Sequence, residues 1–178
     1  MFRLIVVFCA VLVVARAQTT KVNQCINSRG PLPINAYVQG CAEPPCQLPQ
    51  LQNVVIDVIF RAPRTITNMT TLASASFNFI IGVSIPYDLG ENSKTCNFFT
   101  NSFCPIREGE VVQYRLQMFI ESFFVVGTLA NAEFRIVDND RNREVIWCIR
   151  LPIQITPPLP AITNGNEEQN PTPVLVAN

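Results

Sequence analysis

Cysteine is the residue with the most chemistry on offer here, and the stretch Gly40-Cys41-Ala42-Glu43-Pro44-Pro45-Cys46-Gln47-Leu48 sets two of them around a short, proline-bearing segment. Three chemistries use cysteines at such spacing: zinc chelation, dithiol redox exchange and a structural disulfide. Zinc sites draw on histidine or on paired C-x-x-C knuckles, and the sequence has no histidine. A redox dithiol also wants C-x-x-C, and none is present. The disulfide reading leads, provided the chain folds in an oxidising compartment.

The N-terminus speaks to the compartment. Residues 1–17 carry Arg3, an unbroken apolar run over residues 4–14, and then Ala15-Arg16-Ala17, the small-x-small pattern accepted by signal peptidase. The run is too short for a membrane span, which needs about 20 apolar residues. A secretory signal peptide over residues 1–17 is expected, with a single mature domain following. Its removal takes away Cys9, one of 7 cysteines, and leaves an even set: Cys25, Cys41, Cys46, Cys96, Cys104 and Cys148. It also removes Arg3 and Arg16 from a chain with 13 basic and 13 acidic residues, so the mature surface is close to neutral and slightly acidic. No basic stripe points to nucleic acid, and no cationic amphipathic helix points to a stable membrane hold.

Six cysteines can pair in many ways, and sequence alone does not choose among them. Short spans do favour one set. Two prolines stiffen the chain between Cys41 and Cys46 into a turn able to bring its ends into bonding reach. Cys96 and Cys104 enclose the polar loop of residues 97–103 and are expected to pair in the same way. Cys25 and Cys148 then join the two ends of the domain.

The elements that must hold these staples read as strands. In residues 53–60, Val54, Ile56, Val58 and Phe60 alternate with Val55, Asp57 and Ile59, the period of a strand with one buried face. Residues 74–85 continue the pattern, with Phe77, Phe79, Ile81, Val83 and Ile85 on one side, and so do residues 112–120, with Val112, Tyr114, Leu116, Met118 and Ile120. Further strands are expected at 123–129, 132–137 and 145–155, the last two joined as a hairpin through the turn chemistry of Asp138-Asn139-Asp140. No stretch has a helical period. The expected class is all-β, an antiparallel sandwich. From Pro157 the composition turns to proline, asparagine and glutamate, so residues 158–178 are expected to form a disordered tail outside a domain of residues 18–157. Asn68-Met69-Thr70 fits an N-glycosylation sequon, which would place Asn68 on the surface of a secreted protein.

At this point a resemblance enters. Gly40-Cys41 through Leu48 leading to a strand that ends in Phe60, Ile81-Gly82-Val83-Ser84-Ile85-Pro86-Tyr87 before Cys96, Cys104-Pro105-Ile106 before Gly109, and Val137-Asp138-Asn139-Asp140 before Cys148-Ile149-Arg150-Leu151-Pro152 together resemble the ML (lipid-recognition) family, within it the soluble Niemann-Pick type C sterol carriers and their secreted arthropod relatives. The resemblance runs from about Cys25 to Ile155. It implies an immunoglobulin-like β-sandwich of two antiparallel sheets with an internal hydrophobic ligand cavity, and the pairings Cys25 with Cys148, Cys41 with Cys46, and Cys96 with Cys104. It also implies ligand contacts from Val83, Ile85, Pro86 and Tyr87 on one side of the pocket and from Ile120, Phe123 and Phe124 on the other.

Catalysis is not expected. Without histidine, neither a Ser-His-Asp nor a Cys-His nucleophile can be assembled. The carboxylates Asp57, Glu108, Glu110, Glu133, Asp138 and Asp140 are spread over strands and turns, with no evident pair of the glycosidase kind. The resemblance, together with the apolar strands, implies instead a binding module with no cofactor or metal: a monomeric, secreted carrier of a sterol, fatty acid or other small hydrophobic molecule, meeting a membrane or acceptor protein during transfer. Its destination is extracellular space or the endosomal and lysosomal lumen. The alternative is an innate-immune module that captures a microbial glycolipid and presents it to a receptor. That use calls for cations at the pocket mouth, and Arg61, Arg64 and Lys94 are the candidates.

Overall fold

The expected alternation is visible in the computed structural model, which describes residues 18–26, 28–77 and 83–160. Strand β3 (Asn53–Arg61) buries Val54, Ile56, Val58 and Phe60, and β6 (Val111–Phe119) buries Val112, Tyr114, Leu116 and Met118. These two pair antiparallel along their whole length, and β1 (Asn35–Val38) flanks β3 to give a three-stranded sheet. The second sheet has the order β2 (Cys46–Pro49), β8 (Glu144–Thr156), β7 (Leu129–Asp138), β4 (Met69–Phe77), β5 (Ser84–Tyr87). Apolar rows of the two sheets face each other and form one core, the arrangement by which two half-buried sheets satisfy both faces. Among the described residues the only helical elements are the 3₁₀ turns Gly90–Ser93 and Thr95–Phe98.

The sandwich is antiparallel with one exception: β2 runs parallel to β8. The disulfide Cys41–Cys46 sits at the head of this short edge strand, and Cys96–Cys104 and Cys25–Cys148 complete the three. Spacing and resemblance thus led to the pairings the fold contains. Cys25–Cys148 fastens an N-terminal strap across the outer face of the larger sheet. Along it Asn23 exchanges backbone hydrogen bonds with Arg150, Ile26 N donates to the buried carboxylate of Glu133 at 3.4 Å, and Arg135 donates to Ser28. Gly30 lies so close to β8 that a Cβ there would meet Val145 at 2.6 Å, so the strap needs glycine at that position.

Two strand expectations are corrected. Residues 74–85 are not one strand: β4 ends at Phe77, and β5 pairs back on it antiparallel, Ser76 with Ser84 and Ala75 with Ile85. The apolar period continues through both arms of the hairpin, so alternation alone could not reveal the reversal. Phe79 and Ile81 lie outside the described residues, as do the expected signal peptide of residues 1–17 and residues 161–178 of the expected tail. Residues 123–129 are a loop until β7 starts at Leu129. Gly127 adopts φ 86 there, and its N–H bonds to Ile155 at 2.8 Å while Ile155 N donates back to Thr128 at 3.0 Å. A left-handed glycine breaks the strand and wraps the chain over one end of the sandwich.

The hairpin of β7 and β8 forms as expected, but Asp138 is the last residue of β7 and is buried rather than a solvated turn residue. The left-handed turn positions are Asn142 and Arg143, at φ 47 and 59. Asp138 receives the Arg64 guanidinium at 2.8 Å, and Arg64 also reaches Glu144 at 2.9 Å. Burial works against the Arg64 charge, and its bond to Asp138 and the negative charge of Glu144 outweigh that, so its pKa is raised.

Candidate functional site

Inward-facing residues along the larger sheet change size from one end to the other, and this gradient makes the site. At the end where β4 begins, the space between the sheets is filled. Trp147, Tyr114 and Phe60 are fully buried there, with ring centroids 6.2 Å apart for Phe60 and Trp147 and 6.3 Å apart for Tyr114 and Trp147. The hydroxyls of Thr71, Thr95 and Tyr114 form a buried chain, with Thr71 at 2.8 Å from Thr95 and 2.7 Å from Tyr114. Burial pushes the Tyr114 phenol well above its usual range, against a smaller opposing effect of the Thr71 bond.

Toward the other end the inner row of β4 and β7 falls to alanine: Ala73, Ala75, Ala130 and Ala132. The two sheets cannot close on side chains this small, and a cavity of about 60 Å³ remains, within about 530 Å³ of atom-free space counted out to solvent. Its walls are apolar: Leu48, Ile153 and Ile155 along the β2–β8 edge, Phe77 and Phe134 from the middle of the sheet, and Met118 and Ile120 from the facing sheet. Tyr87 and Thr128 bring hydroxyls to the lining; Ser74 borders it too, but pairs with Pro86 and Glu133 in the row that faces the outer groove. The alanines were missed in the sequence, although the alternation Leu72-Ala73-Ser74-Ala75-Ser76 and Ala130-Asn131-Ala132 is a legible sign of a strand face too thin to fill its half of a core.

The mouth is formed by β5 and by the loop of residues 121–128. Tyr87 and Phe124 stand across it with ring centroids 5.8 Å apart, and Phe123 packs on Phe124 at 4.5 Å. The Tyr87 hydroxyl donates to Phe119 O at 3.4 Å, and the Gln50 amide donates to the carbonyls of Ser122 at 3.1 Å and of Phe124, tying the loop down. Desolvation raises the Tyr87 pKa, with further contributions from the negative charges of Glu121 and Asp88.

Of the seven residues that the resemblance placed at the pocket, Tyr87, Ile120 and Phe124 line this cavity. Val83, Ile85 and Phe123 are exposed beside it, at 47%, 49% and 69%. Pro86 turns the other way, onto an outer groove with Ser28, Ser74, Ser84, Glu133 and Arg135. Leu51, Phe119, Val125, Val126 and Leu129 extend the exposed apolar surface around the mouth.

The three cations lie elsewhere. Arg61 closes β3 at the end remote from Asn53, and Asn53 is the residue that pairs with Phe119 near the mouth. A strand of nine residues is about 27 Å long. Arg61 donates to Gly109 O at 2.8 Å, Arg64 holds Asp138 and Glu144, and Lys94 bonds Glu91 at 2.6 Å beside the start of β4. Asn68 is exposed in the loop before β4, at that same remote end, with its side-chain oxygen accepting from Asn139 at 2.9 Å. A geometric cluster of Cys25, Cys148 and Glu133 has metal-ligand spacing, but both sulfurs are consumed in a disulfide, so it offers no thiolate. Among the described residues no helix is long and apolar enough to cross a membrane.

Comparison with known proteins follows the same lines. The crystal structure of a Niemann-Pick type C2 protein from the Japanese carpenter ant superposes with a TM-score of 0.62 at 15% identity, covering 76% of this chain and 99% of the other. The crystal structure of chicken MD-1 complexed with lipid IVa gives a TM-score of 0.42 at 14% identity, over 65% of this chain and 75% of the other. A search of curated proteins finds no match in sequence. The model of the ML domain matches residues 19–155, nearly all of the sandwich, its three staples and its cavity, and the chain belongs to the ML domain family, whose fold binds lipids.

Proposed function

We propose that the chain is a secreted, monomeric carrier that holds a sterol or another small neutral lipid between its two sheets and hands it to a membrane or acceptor protein. The observation that carries this reading is the alanine-floored cavity, walled by hydrocarbon and opening at one end through Tyr87 and Phe124. Binding in such a place needs no catalytic group. A guest that hides about 300 Å² of apolar surface gains roughly 7 to 8 kcal/mol before the loss of its rigid-body freedom is deducted. Pockets for ligands of this size hold about 300 Å³ or more, so loading displaces the aromatic pair at the mouth and draws on the surrounding atom-free space. The exposed apolar rim of Leu51, Phe119, Phe123, Val125 and Val126 then serves as the surface that meets the donor or acceptor, since contiguous exposed apolar patches mark such contacts. Residues 1–17 act as the export signal, residues 18–157 form the lipid-binding domain, and Asn68, exposed at the end remote from the mouth, carries a glycan that leaves lipid exchange unobstructed.

Capture of an anionic microbial glycolipid is the second reading. The positions of Arg61, Arg64 and Lys94, each engaged at the far end of the sandwich, favour the neutral lipid over it. Titration of the purified domain with a fluorescent sterol and with a fluorescent fatty acid, and competition of the sterol with lipopolysaccharide, tests the assignment. Saturable sterol binding with no displacement by lipopolysaccharide is expected. Absence of saturable binding to either fluorescent lipid, together with a lipid-free mass for the secreted protein, would overturn it.

A further inference from the structure

The charges around the mouth are all of one sign. Residues 83–88 and 119–129, which frame the opening, contain no lysine or arginine; their charged members are Asp88 and Glu121. The segment 47–53, which anchors the 121–128 loop through Gln50, has no charged residue, and neither has the end of β8 over residues 151–156. Asp88 follows Tyr87 directly and accepts Gly90 N at 2.8 Å, which fixes its carboxylate at the foot of β5. Glu121 begins the turn that carries Phe124, its carbonyl accepting Phe124 N at 3.3 Å. Among the described residues the half-buried Glu121 carboxylate has no hydrogen-bond or ion-pair partner. Both acids are close enough to Tyr87 to act on its phenol.

A lipid seated with its hydrocarbon on the alanines leaves its head group at this neck. We infer that Glu121 and Asp88 make the neck an electrostatic filter, which admits lipids with an uncharged hydroxyl or carbonyl head and rejects those ending in carboxylate or phosphate. The inference rests on the carrier reading and deepens it by assigning the head-group class. The physical basis is that an anion at the neck meets two like charges, the half-buried Glu121, where screening is weaker than in bulk water, and the exposed Asp88, which adds to it. A neutral head meets a hydroxyl donor in Tyr87, whose bond to Phe119 O at 3.4 Å is a long one that a guest can replace.

The experiment compares dodecanol with dodecanoate, which share a chain length and differ at the head, as competitors of the neutral fluorophore N-phenyl-1-naphthylamine at pH 7.5 and low salt. Wild type, Glu121→Gln, Asp88→Asn and the double variant are each tested. The alcohol is expected to displace the fluorophore at least about tenfold better than the carboxylate from the wild type. The double variant is expected to narrow the gap to about threefold by strengthening carboxylate binding, with alcohol binding unchanged. Added salt narrows the wild-type gap in the same direction. Equal binding of the two lipids by the wild type overturns the filter while leaving the carrier reading intact, and so does a preference that the double variant retains in full. Failure of fluorophore, alcohol and carboxylate alike to bind overturns both readings.

Discussion

Ala75 of β4 stands directly across the ladder from Ala132 of β7, and both line the cavity. One step along the same face the partners are Ala73 and Phe134, where the core begins to fill. The hollow is thus a property of side-chain size on two adjacent strands, with the backbone ladder continuous beneath it.

Replacing Ala132 with leucine puts an isobutyl group into that space. Sterol affinity is expected to fall at least about tenfold, equivalent to about 1.4 kcal/mol. Folding stability should change by less than about 1.5 kcal/mol because the added carbons enter a void. Fluorescent-lipid titration and urea unfolding of the same preparation check both halves, and undiminished affinity would place the lipid elsewhere.

Arg64 sits at the opposite end and serves the fold. Arg64→Met leaves the buried carboxylate of Asp138 without its guanidinium, and breaking one side of a buried pair costs about 3 kcal/mol or more. The unfolding midpoint should drop accordingly, while the affinity for lipid, read at a temperature where the variant is folded, stays at the wild-type value. A selective loss of lipid affinity would contradict the placement of this cation away from the site.

The three disulfides close loops of very different length. Cys25 and Cys148 are 123 residues apart and Cys41 and Cys46 only 5. Chain-entropy reasoning gives about 5 kcal/mol for the first and about 2 kcal/mol for the second. Paired substitutions to alanine, each measured by denaturant unfolding, are expected to keep that order. Loss of the long staple also frees the strap over Glu133, so hydrogen exchange should rise along residues 19–31.

Tyr114 gives the fold an alkaline limit. Its phenol is held neutral by burial, so its folded pKa lies above the unfolded value of about 10. Below about pH 10 the contribution is fully present. Above it the unfolded chain releases a proton that the folded chain keeps, so stability declines as pH rises toward the folded pKa, with a limiting slope of about 1.4 kcal/mol per pH unit. Tyr114→Phe should flatten this decline and cost about 1 to 2 kcal/mol near neutrality, through the bond to Thr71. Thermal unfolding of both proteins between pH 8 and pH 11 is the measurement.

The strands with one clean apolar face were legible in the sequence. Residues 53–60 and 112–120 read as period-two segments because each had solvent on one side and core on the other, and β3 and β6 formed there. The staples were legible because proline and short spacing limit what a cysteine can reach. The β4–β5 reversal was hidden, since apolar residues on both arms keep the same phase through it. The loop of residues 121–128 was misread because Phe123, Val125 and Leu129 look like a strand's buried face, whereas they surround an opening and remain exposed. β1 and β2 were too short to show a period. Of the site, the aromatics at the mouth were legible through resemblance; the alanine floor was not, because the period-two signal is carried by large apolar side chains, whereas the space depends on small ones.

The larger sheet ends on either side in a four-residue strand that contains a proline, Pro49 in β2 and Pro86 in β5. Proline has no amide proton to offer a neighbouring chain, and so short a border gives a second molecule little to zip onto. In a protein with an apolar opening at one end, borders of this kind work against sideways growth into fibrils.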